Sequence, residues 1–233
     1  MRTIRTMPRR TSKSVAFLIA ALLLASAAGA NAARHRNRES SRETNIAASF
    51  EYYLLSLSWT PDFCALPGGF KDPRECGPGR RLGFTTHGLW PQAESGRGPE
   101  DSGASPVAGA IVSQMLSYIP SPGLIQHEWS THGSCSGLSV TDYFQRLRQA
   151  RDKVKIPAGL AAPDRDLTLS PRELAASFAA ANPAFPASAF RATCTRGALQ
   201  EVRVCFTKDL APRPCSGSAG QCPAANILVR RPL

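Results

Sequence analysis

Residues 50–59 have the sequence FEYYLLSLSW, in which aromatic and aliphatic side chains occupy consecutive positions. A strand with one face in water would carry apolar side chains only at every second position. This run therefore predicts a strand that is buried on both faces and is central in its sheet. Pro61 cannot donate a ladder hydrogen bond and is expected to end the strand.

Shorter elements of both kinds are expected further along the chain. Loops are predicted over 64–81 and 93–104, on either side of a second strand at Leu82–Leu89. Helices are predicted from Ser105 to Pro120, over 124–133, from a cap at Thr141 to about Lys153, and from the capping box Ser170–Glu173 to a point before Pro183. Residues 189–230 predict two or three more strands. Because the two kinds of element do not alternate regularly, the sequence predicts an α+β fold.

Residues 1–32 have the pattern of a secretory signal peptide. A basic start precedes the apolar run Val15–Leu24, and small residues allow cleavage after Ala30 or Ala32. The apolar run is too short for a membrane anchor. Residues 33–49 are polar and charged and predict a disordered leader, so the functional domain is expected over 50–233. The sequence thus predicts a secreted or periplasmic protein without stable membrane association once the signal is removed.

The charge of the chain favours a polyanionic partner without identifying it. The formal net charge is +11. Five of the 28 basic residues lie in the predicted signal, which leaves 23 against 17 acidic residues, or +6. A basic protein of this kind suits nucleic acid or an anionic membrane surface.

The chain has seven cysteines, and an exported protein can use them in disulfides. Because the number is odd, at least one thiol must lie outside the intrachain pairs. No Cys-x-x-Cys pair occurs, so the spacing argues against a zinc ribbon.

The histidines concentrate in two short segments. His35 lies in the predicted leader, and the other three lie in FTTHGLWP at 84–91 and HEWSTHGSC at 127–135. Imidazole is the side chain best suited to exchange protons near neutral pH. Two segments that share the scarce histidines therefore indicate candidate acid–base chemistry.

If the second segment is helical, one helix face carries imidazole, carboxylate and hydroxyl groups. His127, Glu128, Thr131 and His132 fall within roughly 140° of one another. Glu128 and His132 are four positions apart and can touch, which would raise the pKa of the imidazole and orient it. Taken alone, the segment equally fits the polar face of an ordinary amphipathic helix.

A zinc site is the other chemistry that these residues suggest. A metalloprotease helix places its ligands as His-Glu-x-x-His, whereas the spacing here is His-Glu-x-x-x-His. The two imidazoles are expected to diverge by roughly 140°, which suits two separate roles better than one ion. We therefore predict no metal and no other cofactor.

Together, the two segments and the strand Tyr52–Trp59 resemble the ribonuclease T2 family over roughly residues 50–230. The first segment is similar through Thr86-His87-Gly88-Leu89-Trp90-Pro91, and the second through His127-Glu128-Trp129, His132-Gly133 and Cys135. The resemblance implies a central, mainly antiparallel sheet flanked by helices. It also implies a monomeric, metal-independent endoribonuclease that acts on single-stranded RNA.

The resemblance implies a role for each site residue. His132 would be the base that takes the proton of the ribose 2′-hydroxyl, and His87 would be the acid that protonates the departing 5′-oxygen. His127 would bind phosphate, Glu128 would help to stabilise the transition state, and Trp90 would shape a base site. The product would be a 2′,3′-cyclic phosphate, followed by slower hydrolysis to a 3′-phosphate.

The chemistry of phosphoryl transfer agrees with these roles. In-line attack needs a base and an acid on opposite sides of phosphorus, which two histidines from different elements can supply. RNA carries its own nucleophile, so no metal-bound water is required, and DNA would be inert.

One position departs from the family pattern. Thr131 stands where the family usually has lysine, and it can donate a hydrogen bond to substrate but carries no charge. Loss of such a cation could cost on the order of 10²-fold in rate. We expect activity to survive, reduced or rescued by an arginine such as Arg81 or Arg97.

The resemblance also implies a disulfide pattern. It suggests Cys64–Cys76 near the first segment, and a nested pair with Cys194–Cys222 around Cys205–Cys215. The usual partner of Cys135 is missing, so we expect Cys135 to be a buried thiol, with a disulfide between chains as the alternative.

Two other functions stay open at this stage. Thr131 keeps open a catalytically weak or inactive relative that binds RNA or another partner. The His-Glu-x-x-x-His segment keeps open a secreted zinc hydrolase. RNA digestion in the presence of a chelator separates all three functions.

Overall fold

The structure, a computed structural model, describes residues 50–67, 72–100 and 104–232. The predicted signal peptide (1–32) and leader (33–49) lie outside these residues. None of the helices in the described ranges is long and apolar enough to cross a membrane.

A six-stranded sheet organises the domain. The strands are β1 (Tyr52–Trp59), β2 (Phe84–Gln92), β3 (Leu167–Leu169), β4 (Phe190–Thr195), β5 (Ala198–Phe206) and β6 (Ile227–Val229). They are ordered β2-β1-β5-β6-β3, and β4 also pairs with β5. Every pairing is antiparallel except the short contact between β5 and β6. The predicted α+β fold with a mainly antiparallel sheet is therefore confirmed.

The first strand lies inside the sheet, as its sequence predicts. It pairs with β2 on one side and with β5 on the other. Tyr53, Leu55, Leu57 and Trp59 face the main core, together with residues of the helices. Tyr52 and Leu54 face the opposite way, into a small cluster that includes Trp90. This second face of the sheet is the one that carries the site described below.

Within the described ranges, seven short α-helices accompany the sheet. They are α1 (Thr60–Ala65), α2 (Pro73–Cys76), α3 (Gly109–Met115), α4 (Pro122–Thr131), α5 (Val140–Asp152), α6 (Ala158–Ala161) and α7 (Pro171–Ala181). The capping box predicted for α7 is present, because the Ser170 side chain accepts from the Glu173 backbone and Glu173 accepts from the Ser170 backbone.

Several boundaries differ from the prediction. The second strand is Phe84–Gln92 and not Leu82–Leu89, the cap of α5 is Ser139 and not Thr141, and the expected loop 64–81 contains α2. The expected helix from Ser105 begins only at Gly109. The side-chain amide of Gln126 bonds both the N–H and the C=O of Val107, so this part of the chain stays extended despite Pro106.

The structure contains the three disulfides that the resemblance implies. They are Cys64–Cys76, Cys194–Cys222 and Cys205–Cys215. The first joins α1 to α2, and the other two hold the chain that follows β5 against β4 and β5. Cys135 lies outside these pairs and is buried, as expected.

Candidate active site

Three elements bring the candidate residues to one face of the sheet. Strand β2 supplies His87 and Trp90, α4 with the residue after it supplies His127, Glu128 and His132, and β5 supplies Glu201 and Arg203. In the register of the sheet, Gly88 and Arg203 lie on either side of Ser56, and Trp90 and Cys205 on either side of Leu54. The site therefore lies on the face opposite the main core.

His87 occupies a β-bulge. Ser56 pairs with Gly88 and Leu57 pairs with Thr86, so His87 is an extra residue in β2. A bulge leaves its residue out of the regular alternation and re-aims the side chain. Nδ1 of His87 lies 2.6 Å from Oε1 of Glu201, and Nε2 lies 3.4 Å from Oε1 of Glu128. The imidazole is thus held between two carboxylates.

Glu128 is fully buried behind the two histidines. Its Oε2 accepts a 2.8 Å hydrogen bond from Nε1 of Trp90. Gly88 makes this approach possible, because a Cβ there would collide with Oε2 of Glu128 and come within 2.8 Å of Nε1 of Trp90. The expected contact of Glu128 with His132 is not among the hydrogen bonds of the described residues, and Glu128 orients Trp90 and faces His87 instead.

His132 directly follows α4 as its C-cap residue. Its φ of −119° and ψ of −46° depart from ideal helical values, so its side chain does not lie where a continued helix would place it. The His132 ring lies 5.1 Å from the Trp90 ring, and the His87 ring lies at the same distance from Trp90. The His127 and His132 rings are 6.2 Å apart. The structure thus brings both predicted acid–base histidines to one indole, from two different elements.

The surroundings of the two histidines shift their pKa values in opposite directions. Burial alone would lower the pKa of His87, but the hydrogen bond to Glu201 and the charges of Glu128 and Glu201 raise it to about 9. Burial and the nearby His127 and His87 lower the pKa of His132 to about 4. The expectation that Glu128 raises the pKa of His132 was wrong. Between these values His87 is protonated while His132 is neutral.

The two carboxylates beside His87 also differ. Burial would raise the pKa of Glu201, but the hydrogen bond and charge of His87 and the charge of Arg203 lower it to about 2. Burial raises the pKa of Glu128 to about 7, although the His87 charge and the Trp90 hydrogen bond oppose this. Glu201 is therefore a fixed negative charge near neutral pH.

Glu201 and Arg203 were missed by the sequence analysis. Nε of Arg203 donates to Oε2 of Glu201 at 2.9 Å, and the guanidinium carbon lies 5.2 Å from the centre of the Trp90 ring. The sequence did contain a signal for them. Glu201 and Arg203 occupy alternate positions of an otherwise largely apolar strand, so both side chains point to the same face of the sheet. Their partner His87 could not be identified from sequence, since 114 positions separate it from Glu201.

Two features of the site bear on the lysine that the family usually has at position 131: the contact of Thr131, and the positions of the arginines that could supply the missing charge. Oγ1 of Thr131 is 3.3 Å from Nδ1 of His127, so the hydroxyl can position that imidazole. The two arginines named as candidates, Arg81 and Arg97, are exposed. Arg203, which was not named, is the arginine that lies over Trp90.

The residues of α4 could also hold a metal ion. One ligand atom from each of His127, Glu128 and His132 lies within 4.8 Å of the others. The expectation that the imidazoles of His127 and His132 point in different directions was therefore wrong, because the His132 side chain does not lie where a continued helix would place it. Two imidazoles and a carboxylate are a ligand set that zinc accepts. However, Oε2 of Glu128 already accepts the indole N–H of Trp90.

A cavity of about 420 Å³ opens beside His87 and His127, and His132 and Trp90 are not among the described residues that line it. Its walls include His87, His127 and Glu201, with Phe63 and Leu124 as apolar members. We call it the histidine cleft. A cleft with apolar walls and a few polar groups suits a planar base beside a phosphodiester.

Comparison with known proteins shows a family match and several similar proteins. The model of the family described as the ribonuclease T2 family matches residues 50–215. A protein named "Ribonuclease" from Aeromonas hydrophila is 37% identical over 125 residues, which cover 54% of this chain and 56% of the relative. A "Probable ribonuclease" from Haemophilus influenzae is 34% identical over 128 residues, which cover 48% of this chain and 46% of the relative. The chain thus spans about half the length of these curated relatives.

A solved structure has a similar fold. An RNase-related protein from Calystegia sepium superimposes with a TM-score of 0.62 at 20% identity, covering 79% of this chain and 99% of that protein. At this level of identity the likeness shows the fold alone.

Proposed function

The chain belongs to the ribonuclease T2 family, and we propose that it is a metal-independent endoribonuclease that cleaves single-stranded RNA. The observation that carries the proposal is the pair His87 and His132. The two imidazoles come from different elements, lie at equal distances from Trp90, and have pKa values shifted in opposite directions. One is thus a proton donor and the other a proton acceptor over the same pH range.

In the first step, neutral His132 takes the proton from the 2′-hydroxyl, and the 2′-oxygen attacks phosphorus in line. The bond to the 5′-oxygen breaks, and protonated His87 gives its proton to that oxygen. The product is a 2′,3′-cyclic phosphate. In the slower second step, His87 takes a proton from water and the water oxygen attacks phosphorus. The bond from phosphorus to the 2′-oxygen breaks, His132 returns its proton to that oxygen, and a 3′-phosphate is left.

The other residues of the site support these two transfers. His127, positioned by Thr131, is suited to contact a phosphate oxygen, and the buried Trp90 packs against both histidines, where it can shape a base site. Glu201 keeps His87 protonated, and Glu128 holds Trp90 against both histidines. Fixed charges and donors of this kind stabilise charge that develops in the transition state.

The proposal includes export and action as a monomer. The signal pattern of residues 1–32 supports export to the periplasm or the medium. The three disulfides support an oxidising compartment, because such bonds do not persist in a reducing cytosol.

Digestion of single-stranded RNA in EDTA, with analysis of the new ends, tests the proposal. The wild-type protein should cleave in EDTA and leave 2′,3′-cyclic phosphate ends, and a substrate with deoxyribose at the cleaved position should stay intact. His87→Ala and His132→Ala should each abolish cleavage while the thermal unfolding transition persists. Cleavage that stops in EDTA and returns with Zn²⁺ would instead identify a metal hydrolase at His127, Glu128 and His132.

The alternative is a catalytically weak family member that acts by binding RNA or a partner. Thr131, in place of a lysine, is the feature that favours it. Retention of RNA without cleavage would support this alternative.

Thr131→Lys should raise the cleavage rate, by up to about 10²-fold if the missing cation limits turnover. An unchanged rate would show that another group already supplies the charge.

A further inference from the structure

A second cavity, of about 510 Å³, carries arginines and has no part in the chemistry above. Arg74, Arg80 and Arg151 line it, with Tyr118 and Asp152. We call it the arginine cavity. Three arginines and one carboxylate are among its lining residues, so the lining is positive on balance.

The arginine cavity adjoins the histidine cleft. Three pairs of consecutive residues place one member in each of the two cavities: Arg74 and Glu75, Thr86 and His87, and Pro120 and Ser121. The two cavities therefore have neighbouring walls.

The arginines differ in how firmly they are held. Nη1 of Arg151 donates to the C=O of Val154 at 2.8 Å, which fixes its guanidinium. Arg74 is 55% exposed and lies 3.6 Å from Asp72, and Arg80 is exposed. The hydroxyl of Tyr118 donates to Asp152, at 3.1 and 3.2 Å from its two oxygens. That hydrogen bond partly satisfies the one carboxylate of the lining, whereas the guanidinium groups keep donors for a ligand.

The histidine cleft has the opposite character. Besides Glu201, its walls include the buried carboxyl groups of Asp72 and Glu75. The scissile phosphate is held by His87 and His127 in this cleft, and the carboxyl groups of its other walls disfavour a second phosphate there, whereas the arginines favour one.

We propose that the arginine cavity binds a backbone phosphate of RNA next to the scissile nucleotides, so that oligonucleotides are bound more tightly than dinucleotides. This inference rests on the proposed ribonuclease function. Arginine forks match phosphate oxygens in geometry and charge, and a basic groove that tracks the backbone is the usual means of holding single strands.

The test compares two substrates and two charge-matched double variants. Arg74→Ala with Arg80→Ala removes two cations from the cavity, and Arg165→Ala with Arg172→Ala removes two exposed cations that line neither cavity. For the first variant, kcat/KM on a ten-nucleotide RNA should fall about 10-fold or more, with kcat/KM on a dinucleotide unchanged. The second variant should match the wild type on both substrates.

Binding of a non-cleavable 2′-O-methyl ten-nucleotide strand gives a readout that does not depend on catalysis. The slope of log affinity against log salt should become shallower by about 0.7 for each phosphate that the Arg74 and Arg80 variant no longer neutralises. Equal reductions in both double variants, or no reduction on the long substrate, would overturn the inference. Failure of the proposed function would look different, because the wild-type protein would then cleave neither substrate.

Discussion

At the scale of single residues, His87 and His132 differ in the charges around them. His87 lies between Glu201 and Glu128, while the neighbours of His132 that act on its pKa are two other imidazoles. The motifs identified both histidines from sequence. The carboxylate that raises the pKa of His87 was not identifiable, because the contact with Glu201 forms only when β5 packs beside β1.

Glu201→Gln should move the alkaline limb of the pH–kcat/KM profile. Activity is lost as pH rises through the pKa of His87, which Glu201 helps to raise to about 9. Removing one carboxylate charge should lower that pKa, and with it the limb, by about 1–3 units. The acid limb, set by His132, should stay in place.

A matched control for that variant is Glu94→Gln, since Glu94 is a half-exposed carboxylate paired with Arg213. It should leave both limbs unchanged. An alkaline limb that does not move in a folded Glu201→Gln protein would show that His87 is not the group that titrates there.

At the scale of elements, β2 departs from a regular strand where the chemistry lies. The bulge at His87 and the absence of a side chain at Gly88 together let Glu128 and Trp90 meet beneath the histidines. Apolar patterning predicted a strand here but not the bulge, because a bulge is set by register against β1. Within β1, Ser56 and Ser58 alternate with Leu57 and Trp59, and this alternation was a sign of a polar face.

Gly88→Ala should disable the site. The added methyl would collide with Oε2 of Glu128, and overpacking of this kind costs about 1–3 kcal/mol of unfolding free energy. Both the urea midpoint and kcat/KM should fall. Gly109→Ala is the matched control, because nothing lies within 4 Å of a Cβ at that position. A Gly88→Ala protein with the activity of the control would contradict the close packing around Glu128.

Short sequence patterns predicted one helix start correctly and another wrongly, and the difference is whether a distant residue competes with the pattern. The capping box at Ser170 was predicted correctly. The helix predicted to start at Ser105-Pro106 does not start there, because Gln126 holds Val107 in an extended conformation.

Ser170→Ala should lower the free energy of unfolding by about 1 kcal/mol, measured with urea, and leave kcat/KM unchanged, because it removes the cap of α7. The exposed Ser113→Ala serves as control, and an equal decrease there would contradict a specific capping effect.

At the scale of the whole molecule, the fold class followed from composition and patterning, and the strand order did not. The pairing of β1 with β5, and of β5 with β6, depends on contacts between distant parts of the sequence. The disulfide pattern came from the family resemblance. The adjacency of the histidine cleft and the arginine cavity was invisible in the sequence, because residues 74, 80 and 151 meet only in the folded domain.

Two substrates with different leaving groups test the proposed roles of His87 as the acid and His132 as the base. A dinucleotide has a poor leaving group that needs a proton, whereas a nucleoside 3′-(4-nitrophenyl phosphate) has a leaving group that departs without one. His87→Ala should lose about 10²–10⁴-fold in kcat/KM on the dinucleotide and little on the nitrophenyl ester. His132→Ala should lose activity on both. Equal decreases for the His87→Ala protein on the two substrates would contradict the assignment of His87 as the acid.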